Sequence, residues 1–183
     1  MSQDRGQRSH SSAPLQQMPL IEEPFKRVAI DHVGPFDPMS ERVHCYILAI
    51  ADVATRFPET VPLKRIDTPA TAEALLSAFS RVGCPAEILS DRDTQLTSDL
   101  TKEVFRLLSV DHLTTSPYYA QTKGMVERFN RILKTMLRNI ASEKPKDWDK
   151  YVPALLFAHR EMPHESTGFH RLSCCTVELH VVL

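Results

Sequence analysis

The spacing of apolar residues from Pro24 onward predicts a sheet of five short strands. The first is the run Arg27-Val-Ala-Ile-Asp-His-Val-Gly34, which Pro35 ends. Further runs of apolar and β-branched residues, each bounded by turn-forming residues, predict strands at 44–53, 57–63, 87–90 and 111–115. Three strands in succession, followed by strands that alternate with helices, are typical of an α/β fold with a mixed sheet and helices on both faces.

Apolar residues at helical spacing predict four helices. One covers 68–82, one begins at the N-cap Ser98 and ends near 108, and one runs from about 122 to 141. The last should begin near Asp147, and Pro153 should either kink it or mark a later start. Residues 1–23 lack this periodicity and predict a flexible lead-in, so we place the folded domain at 24–169.

Composition excludes some classes of protein and leaves others open. The four cysteines form no C-x-x-C pair, which indicates a reducing compartment rather than a disulfide framework. The sequence has neither an apolar run of about 18 residues nor a hydrophobic signal segment, so we expect an intracellular protein outside the membrane. The formal net charge is −1, and evidence for nucleic-acid binding must therefore be local.

Three acidic residues stand out by their positions. Asp31 interrupts an apolar strand, where a carboxylate is costly unless it is paired or binds a metal. Asp91 follows the strand at 87–90, and ligand sites gather at strand ends in α/β sheets. Glu127 lies on the long helix, opposite the predicted apolar face.

The long helix also carries a basic stripe. At about 100° per residue, Arg131, Lys134 and Arg138 fall within about 40° of Glu127. An acid that holds a metal, followed by cations that hold DNA phosphates, suits an enzyme that acts on phosphodiesters. The alternative is a solvated helix face with ordinary charge pairs.

Several linked motifs resemble the catalytic core of retroviral and gypsy-type retrotransposon integrases. Asp31, Asp91 and Glu127 match the acidic triad of that family, and the interval between the last two is 127 − 91 − 1 = 35 residues, as in the retroviral version. The sequence around each acid resembles the family as well, and the resemblance extends from about Pro24 to Phe169. The matching segments are 25–35, 51–57, 90–98, 116–130 and 165–168, together with Trp148.

The resemblance implies an RNase H-like fold, with a five-stranded mixed sheet flanked by helices. It implies that Asp31, Asp91 and Glu127 are catalytic residues that bind two Mg²⁺ ions, for which Mn²⁺ should substitute. The implied function is DNA integration, in which a polynucleotidyl transferase trims the 3′ ends of the element's DNA and joins them to target DNA. The implied partners are both DNAs and further copies of the chain. The expected location is the nucleus, with the cytoplasm as a second compartment.

The same resemblance implies roles for residues of the loop that precedes the long helix. Tyr118, Gln121 and Lys123 match the family's flexible active-site loop and are expected to contact DNA, although Tyr118 could instead be a packed loop aromatic. Gly124 is expected where that loop turns into the helix.

The sequence also departs from the family. Asp93 stands where the family usually has glycine, which adds a charge beside Asp91. Neither the His/Cys zinc module that precedes the family's core nor a C-terminal DNA-binding barrel is recognisable. Two alternatives therefore stay open: a truncated or domesticated core that binds nucleic acid without catalysis, and a stand-alone nuclease of the same fold.

The segment 170–183 is predicted to be an irregular tail. The family usually continues Ser-Pro-Phe-Glu-Leu-Leu-Tyr-Gly-Arg here, and one coding of those residues, read one base out of frame, gives His-Arg-Leu-Ser-Cys-Cys-Thr-Val. These are residues 170–177 of this chain. We therefore expect an out-of-frame translation, against the alternative of a divergent tail, and sequencing the transcript distinguishes the two.

Overall fold

The structure, a computed structural model, describes residues 23–91, 94–114 and 120–162, with the backbone alone at 94, 95, 114, 120, 121 and 123. The predicted tail, all but the last residue of the predicted lead-in, and Asp93 lie outside the described residues.

Five strands form one mixed sheet in the order β3-β2-β1-β4-β5. Strands β1, β2 and β3 form an antiparallel meander, whereas β4 lies parallel to β1 and β5 lies parallel to β4. Parallel neighbours need a crossover connection, and helices supply it here. The predicted five-stranded mixed sheet is thus confirmed. The strands are β1 (Arg27–Val33), β2 (Tyr46–Asp52), β3 (Pro58–Leu63), β4 (Glu87–Ser90) and β5 (Asp111–Thr114).

The helices begin largely where capping residues predict. The Ser98 side chain accepts a hydrogen bond from the Thr101 backbone N–H and starts α3, as predicted. Within the described part of the chain, none of the helices is both long enough and apolar enough to cross a membrane. The helices are α1 (Thr68–Val82), α2 (Thr94–Thr97), α3 (Asp99–Leu107), α4 (Ala120–Ile140) and α5 (Trp148–Glu161).

The helices rule out one of the two expectations for Pro153 and correct the expectation for Gly124. Helix α5 begins at Trp148 after a 3-10 turn at Pro145–Asp147, and Pro153 lies inside it, so this proline does not mark a later start. Helix α4 begins at Ala120, so Gly124 is already inside it rather than at a loop-to-helix turn. Gly124 does not have a left-handed φ, and a Cβ there would meet no atom within 4 Å.

Helices cover both faces of the sheet. Helices α1 and α3 pack against one face, and α4 and α5 pack against the other. Alternate strand side chains supply the two layers because successive residues of a strand point to opposite faces. The first layer includes Ile30, Leu48, Leu75, Phe79, Ile88 and Phe105, and the second includes Val33, Ile47, Ala49, Phe129, Leu133, Trp148 and Leu155.

A buried polar cluster ties the β1–β2 connection to α5. The Asp149 side chain accepts a hydrogen bond from Ser40 Oγ at 3.1 Å, and its Oδ2 lies 2.6 Å from His44 Nδ1. Asp149 and Ser40 are both buried. The cluster holds this connection against the start of α5, beside the end of α4.

Candidate active site

The register between β1 and β4 places two of the three predicted acidic ligands side by side. Ala29 of β1 lies beside Leu89 of β4, an offset of 60 positions. Two residues further along, the same offset puts Asp31 level with Asp91. The 60-position separation of these two aspartates therefore equals the offset between paired residues of β1 and β4.

Strand alternation also determines the face on which the two aspartates lie. Ala29 and Leu89 pack with Val126 of α4 in one buried cluster. Because side chains two residues apart share a face, Asp31 and Asp91 point to the α4 side of the sheet. Glu127 follows Val126 and reaches the same place from the helix.

All three carboxylates line one cleft with a volume of about 240 Å³. Asp31 is half-buried, whereas Asp91 and Glu127 are exposed. The remaining lining is neutral, and it includes buried Ser90 and Thr122. The lining residues are Ala29, Ile30, Asp31, Leu89, Ser90, Asp91, Thr122, Val126 and Glu127.

Asp31 is held by Asn130, a residue for which no role was predicted. Asn130, one helical turn after Glu127, donates from Nδ2 to Asp31 Oδ2 at 2.7 Å. Only 8% of Asn130 is exposed. Its signal in the sequence was its position: at about 100° per residue it lies about 60° from Glu127, towards the apolar face. The buried face of α4 therefore extends closer to Glu127 than the apolar residues alone predicted.

A second polar pair lies behind Asp91, and the sequence did not reveal it. Ser90 Oγ donates to the Asp91 carbonyl oxygen at 2.9 Å and lies 2.7 Å from His112 Nε2. His112 packs against Phe105 with ring centroids 5.0 Å apart. Burial lowers the pKa of His112, and the charge of Lys102 lowers it further.

The donor set of the cleft suits a hard divalent cation. Carboxylate oxygens are the ligands that Mg²⁺ prefers. Three carboxylates around one small cleft repel one another, and no described residue that lines the cleft is cationic, so a bound cation would offset that repulsion. No three described His, Cys, Asp or Glu side chains lie close enough together to hold a metal as they stand. The cleft therefore has suitable donors without a preformed coordination shell.

The predicted basic stripe lies on the exposed side of α4. Arg131, Lys134 and Arg138 are all exposed. Lys134 and Arg138 also line a second cleft, with a volume of about 410 Å³, between the end of α4 and the β1–β2 connection. Phe36 and Trp148 contribute to its wall, with ring centroids 4.6 Å apart.

The predicted loop contacts are only partly within the described structure. Tyr118 lies outside the described residues. Gln121 and Lys123 are in the first turns of α4 rather than in a loop, and only their backbone is described. Their predicted contacts with DNA stay predictions.

Comparison with known proteins connects this chain to integrases. No family model matches it. An uncharacterised protein of Caenorhabditis elegans is 32% identical over 153 residues, which are 84% of this chain and 12% of that protein. The mouse gypsy retrotransposon integrase-like protein 1 is 28% identical over 167 residues, 87% of this chain and 31% of that protein. The Pro-Pol polyprotein of simian foamy virus type 3 is 29% identical over 136 residues, 74% of this chain and 12% of the polyprotein.

Solved structures share the fold of this chain. The HTLV-2 integrase catalytic core domain in complex with magnesium, in its trimeric form, has a TM-score of 0.68 at 20% identity, covering 82% of this chain and 96% of that core. A chain of the simian T-cell lymphotropic virus intasome has a TM-score of 0.78 at 20% identity, covering 92% of this chain and 60% of that one. The chain is thus a relative of gypsy retrotransposon integrase-like proteins, and it has the RNase H-like fold of the retroviral integrase catalytic core.

Proposed function

We propose that this chain is the catalytic core of a DNA integrase, a metal-dependent polynucleotidyl transferase that trims 3′ ends of element DNA and joins them to target DNA. The observation that carries the proposal is the meeting of Asp31, Asp91 and Glu127 at one cleft, from two strands and a helix. The gypsy retrotransposon integrase-like relative supports it. The chain spans at most about a third of the length of the three relatives compared above.

The three carboxylates would hold the divalent metal. When bound, Mg²⁺ supplies activation of the attacking oxygen and stabilisation of the leaving oxygen in phosphodiester chemistry. Asp91 and Glu127 are exposed, so their side chains have room to turn towards a shared ion. Asp31 is oriented by Asn130 and would provide the fixed ligand of the three.

The basic stripe would hold the DNA backbone. Glu127 and Arg138 are 11 positions apart on α4, which at about 1.5 Å per residue is about 16 Å. One DNA strand rises about 3.4 Å per nucleotide, so the stripe can follow about five nucleotides. The second cleft lies at the far end of this path, where Lys134 and Arg138 would bind phosphates leading away from the reaction.

Self-association is part of the proposal. Leu76 of α1 is 45% exposed and Phe157 of α5 is 63% exposed, and both are large apolar side chains on helices that face solvent. Burying such residues between copies would be favourable. Matched HTLV-2 cores are described in dimeric and trimeric forms. We expect light scattering to show an oligomer that the Phe157→Lys variant weakens.

A joining assay on branched DNA, with Mg²⁺ or Mn²⁺, tests the enzymatic proposal. Glu127→Gln should abolish joining and leave the fold intact, because it removes a ligand charge from an exposed position. Glu143→Gln, an exposed glutamate just beyond the end of α4, is the matched control and should join normally. Calorimetric titration with Mn²⁺ gives a second measurement, in which Glu127→Gln should bind more weakly.

Two outcomes would contradict this proposal in different ways. Full joining by Glu127→Gln would show that the glutamate is not a ligand. If the unchanged protein bound DNA but neither joined DNA nor bound Mn²⁺, the alternative of a core that binds nucleic acid without catalysis would be favoured.

A further inference from the structure

We propose that His112 and Ser90 form a hydrogen-bond relay that fixes the backbone at Asp91 and thereby sets the direction of its carboxylate. His112 would be a positioning residue, since it acts through Ser90 and is not among the described residues that line the cleft. This inference rests on the proposed function, in which Asp91 is a metal ligand.

The direction of each hydrogen bond follows from the chemistry of serine. A hydroxyl has one hydrogen to donate. Ser90 Oγ uses it on the Asp91 carbonyl oxygen, at 2.9 Å, because that oxygen can only accept. At 2.7 Å from His112 Nε2, the hydroxyl must then accept, so Nε2 carries a hydrogen. The two contacts together assign the Nε2–H tautomer to a neutral His112.

The relay starts from a rigid support. His112 lies on β5 at the position that pairs with Ile88 of β4. Its ring packs against Phe105 of α3, which is 2% exposed. Burial lowers the pKa of His112, which keeps the ring neutral near pH 7. A protonated ring would also donate from Nε2, so the relay does not depend on pH.

The relay acts at the end of β4, where the hydrogen bonds of the strand pairing stop. Strand β4 ends at Ser90, and Asp91 is the first residue beyond it. Ser90 is 1% exposed and can hardly be reached by water, so its hydroxyl depends on protein partners. Holding the Asp91 carbonyl oxygen fixes the orientation of the peptide group that follows Asp91. The Asp91 side chain then projects from a backbone of fixed orientation. Supporting residues of this kind commonly change metal affinity when they are replaced.

Calorimetric titration with Mn²⁺ tests the relay without relying on activity. His112→Phe keeps an aromatic ring against Phe105 and removes the donor, and it should raise the Kd for Mn²⁺ by about tenfold, the lower end of the usual range for supporting residues. His112→Gln places an amide N–H near the position of Nε2 and should stay within about twofold of the unchanged protein. Ser90→Ala should raise the Kd for Mn²⁺ by a similar factor. If His112→Phe does not fold, Ser90→Ala tests the relay instead.

Phe79→Leu is the control for a purely structural role, because Phe79 is buried in α1 and is not part of the relay. It should lower the melting temperature through lost packing while leaving Mn²⁺ binding unchanged. Equal loss of affinity in Phe79→Leu and His112→Phe would overturn the proposal. Failure of His112→Gln to restore affinity would overturn it as well.

Two further measurements separate this proposal from the proposed function. If Asp91→Asn loses Mn²⁺ binding and His112→Phe retains it, the relay is wrong and the metal site stands. In the metal-free protein, the ¹⁵N chemical shifts of the His112 ring should show a protonated Nε2 and an unprotonated Nδ1 near pH 7.5. The opposite tautomer would overturn the relay, whether or not Mn²⁺ binds. If the protein has the expected tautomer but does not bind Mn²⁺, both the proposed function and the functional role of the relay are wrong.

Discussion

Replacing Asn130 with alanine should weaken both the fold and the metal site. The change removes the 2.7 Å hydrogen bond that Nδ2 donates to Asp31 Oδ2. A hydrogen bond to a charged group contributes about 1.5–3 kcal/mol when buried. Asp31 is only half-buried, so solvent would replace part of that contribution.

Two further effects reduce the net loss of stability. Asn130 Oδ1 is buried and has no hydrogen-bond partner among the described atoms, so its removal relieves an unsatisfied acceptor. Alanine also favours the helix more than asparagine does, by about 0.5 kcal/mol. We therefore expect the free energy of unfolding to fall by about 1 kcal/mol, which lowers the melting temperature by about 2–4 °C in a domain of this size. The Kd for Mn²⁺ should rise about tenfold, since Asp31 loses its orientation.

The assay combines thermal melting without metal and calorimetric titration with Mn²⁺. Asn139→Ala is the matched control, because Asn139 lies on the same helix and is exposed. It should change stability by no more than about 0.5 kcal/mol and leave Mn²⁺ binding unaltered. The reasoning fails if Asn130→Ala binds Mn²⁺ as tightly as the unchanged protein, because the amide would then not orient Asp31.

Three other predictions follow from the same structure. Lys134→Ala should reduce the slope of log K for duplex DNA against log salt by about 0.9, the contribution of one phosphate contact. Lys64→Ala, at an exposed position just after β3, should leave the slope unchanged. A slope for Lys134→Ala equal to that of the unchanged protein would mean a solvated helix face. Burial lowers the pKa of His112, so the stability it contributes is present above pH 6.5 and lost as the pH falls through the folded-state pKa. The melting temperature of His112→Gln should therefore fall less between pH 7.5 and 5, and parallel curves would refute this. Leu75→Ala, at a fully buried position, should cost about 2–5 kcal/mol in urea unfolding, against less than about 1 for the 45% exposed Leu76→Ala; similar values would place the core elsewhere.

Residues whose structure follows from local chemistry could be predicted from the sequence. Ser98 caps α3 because a hydroxyl accepts from a free backbone N–H at a helix start. The five strands follow from short apolar runs, which a sheet covered on both faces requires. Helix α2 has four residues, too few for any helical periodicity to show in the sequence.

Contacts between distant segments could not be predicted in this way. Asn130 reaches Asp31 across 99 positions, and the side chain of an asparagine on a helix usually faces solvent. Ser90 and His112 meet because β4 and β5 pair in parallel, a register that periodicity alone does not determine. The three acidic residues stood out by their positions and by their match to a family, whereas their supporting residues required the fold.

The sheet assigns different roles to adjacent residues at the end of β4. Because side chains alternate along a strand, Ser90 faces the side of α1 and α3, while Asp91 faces α4 and the cleft. One residue can therefore serve as ligand while its neighbour supports it from the opposite face. A register slip of one residue between β1 and β4 would turn one aspartate away from the other, and a slip between β4 and β5 would separate Ser90 from His112. The placement of the proposed ligands thus depends on strand pairing, which buried apolar contacts on both faces hold in one register.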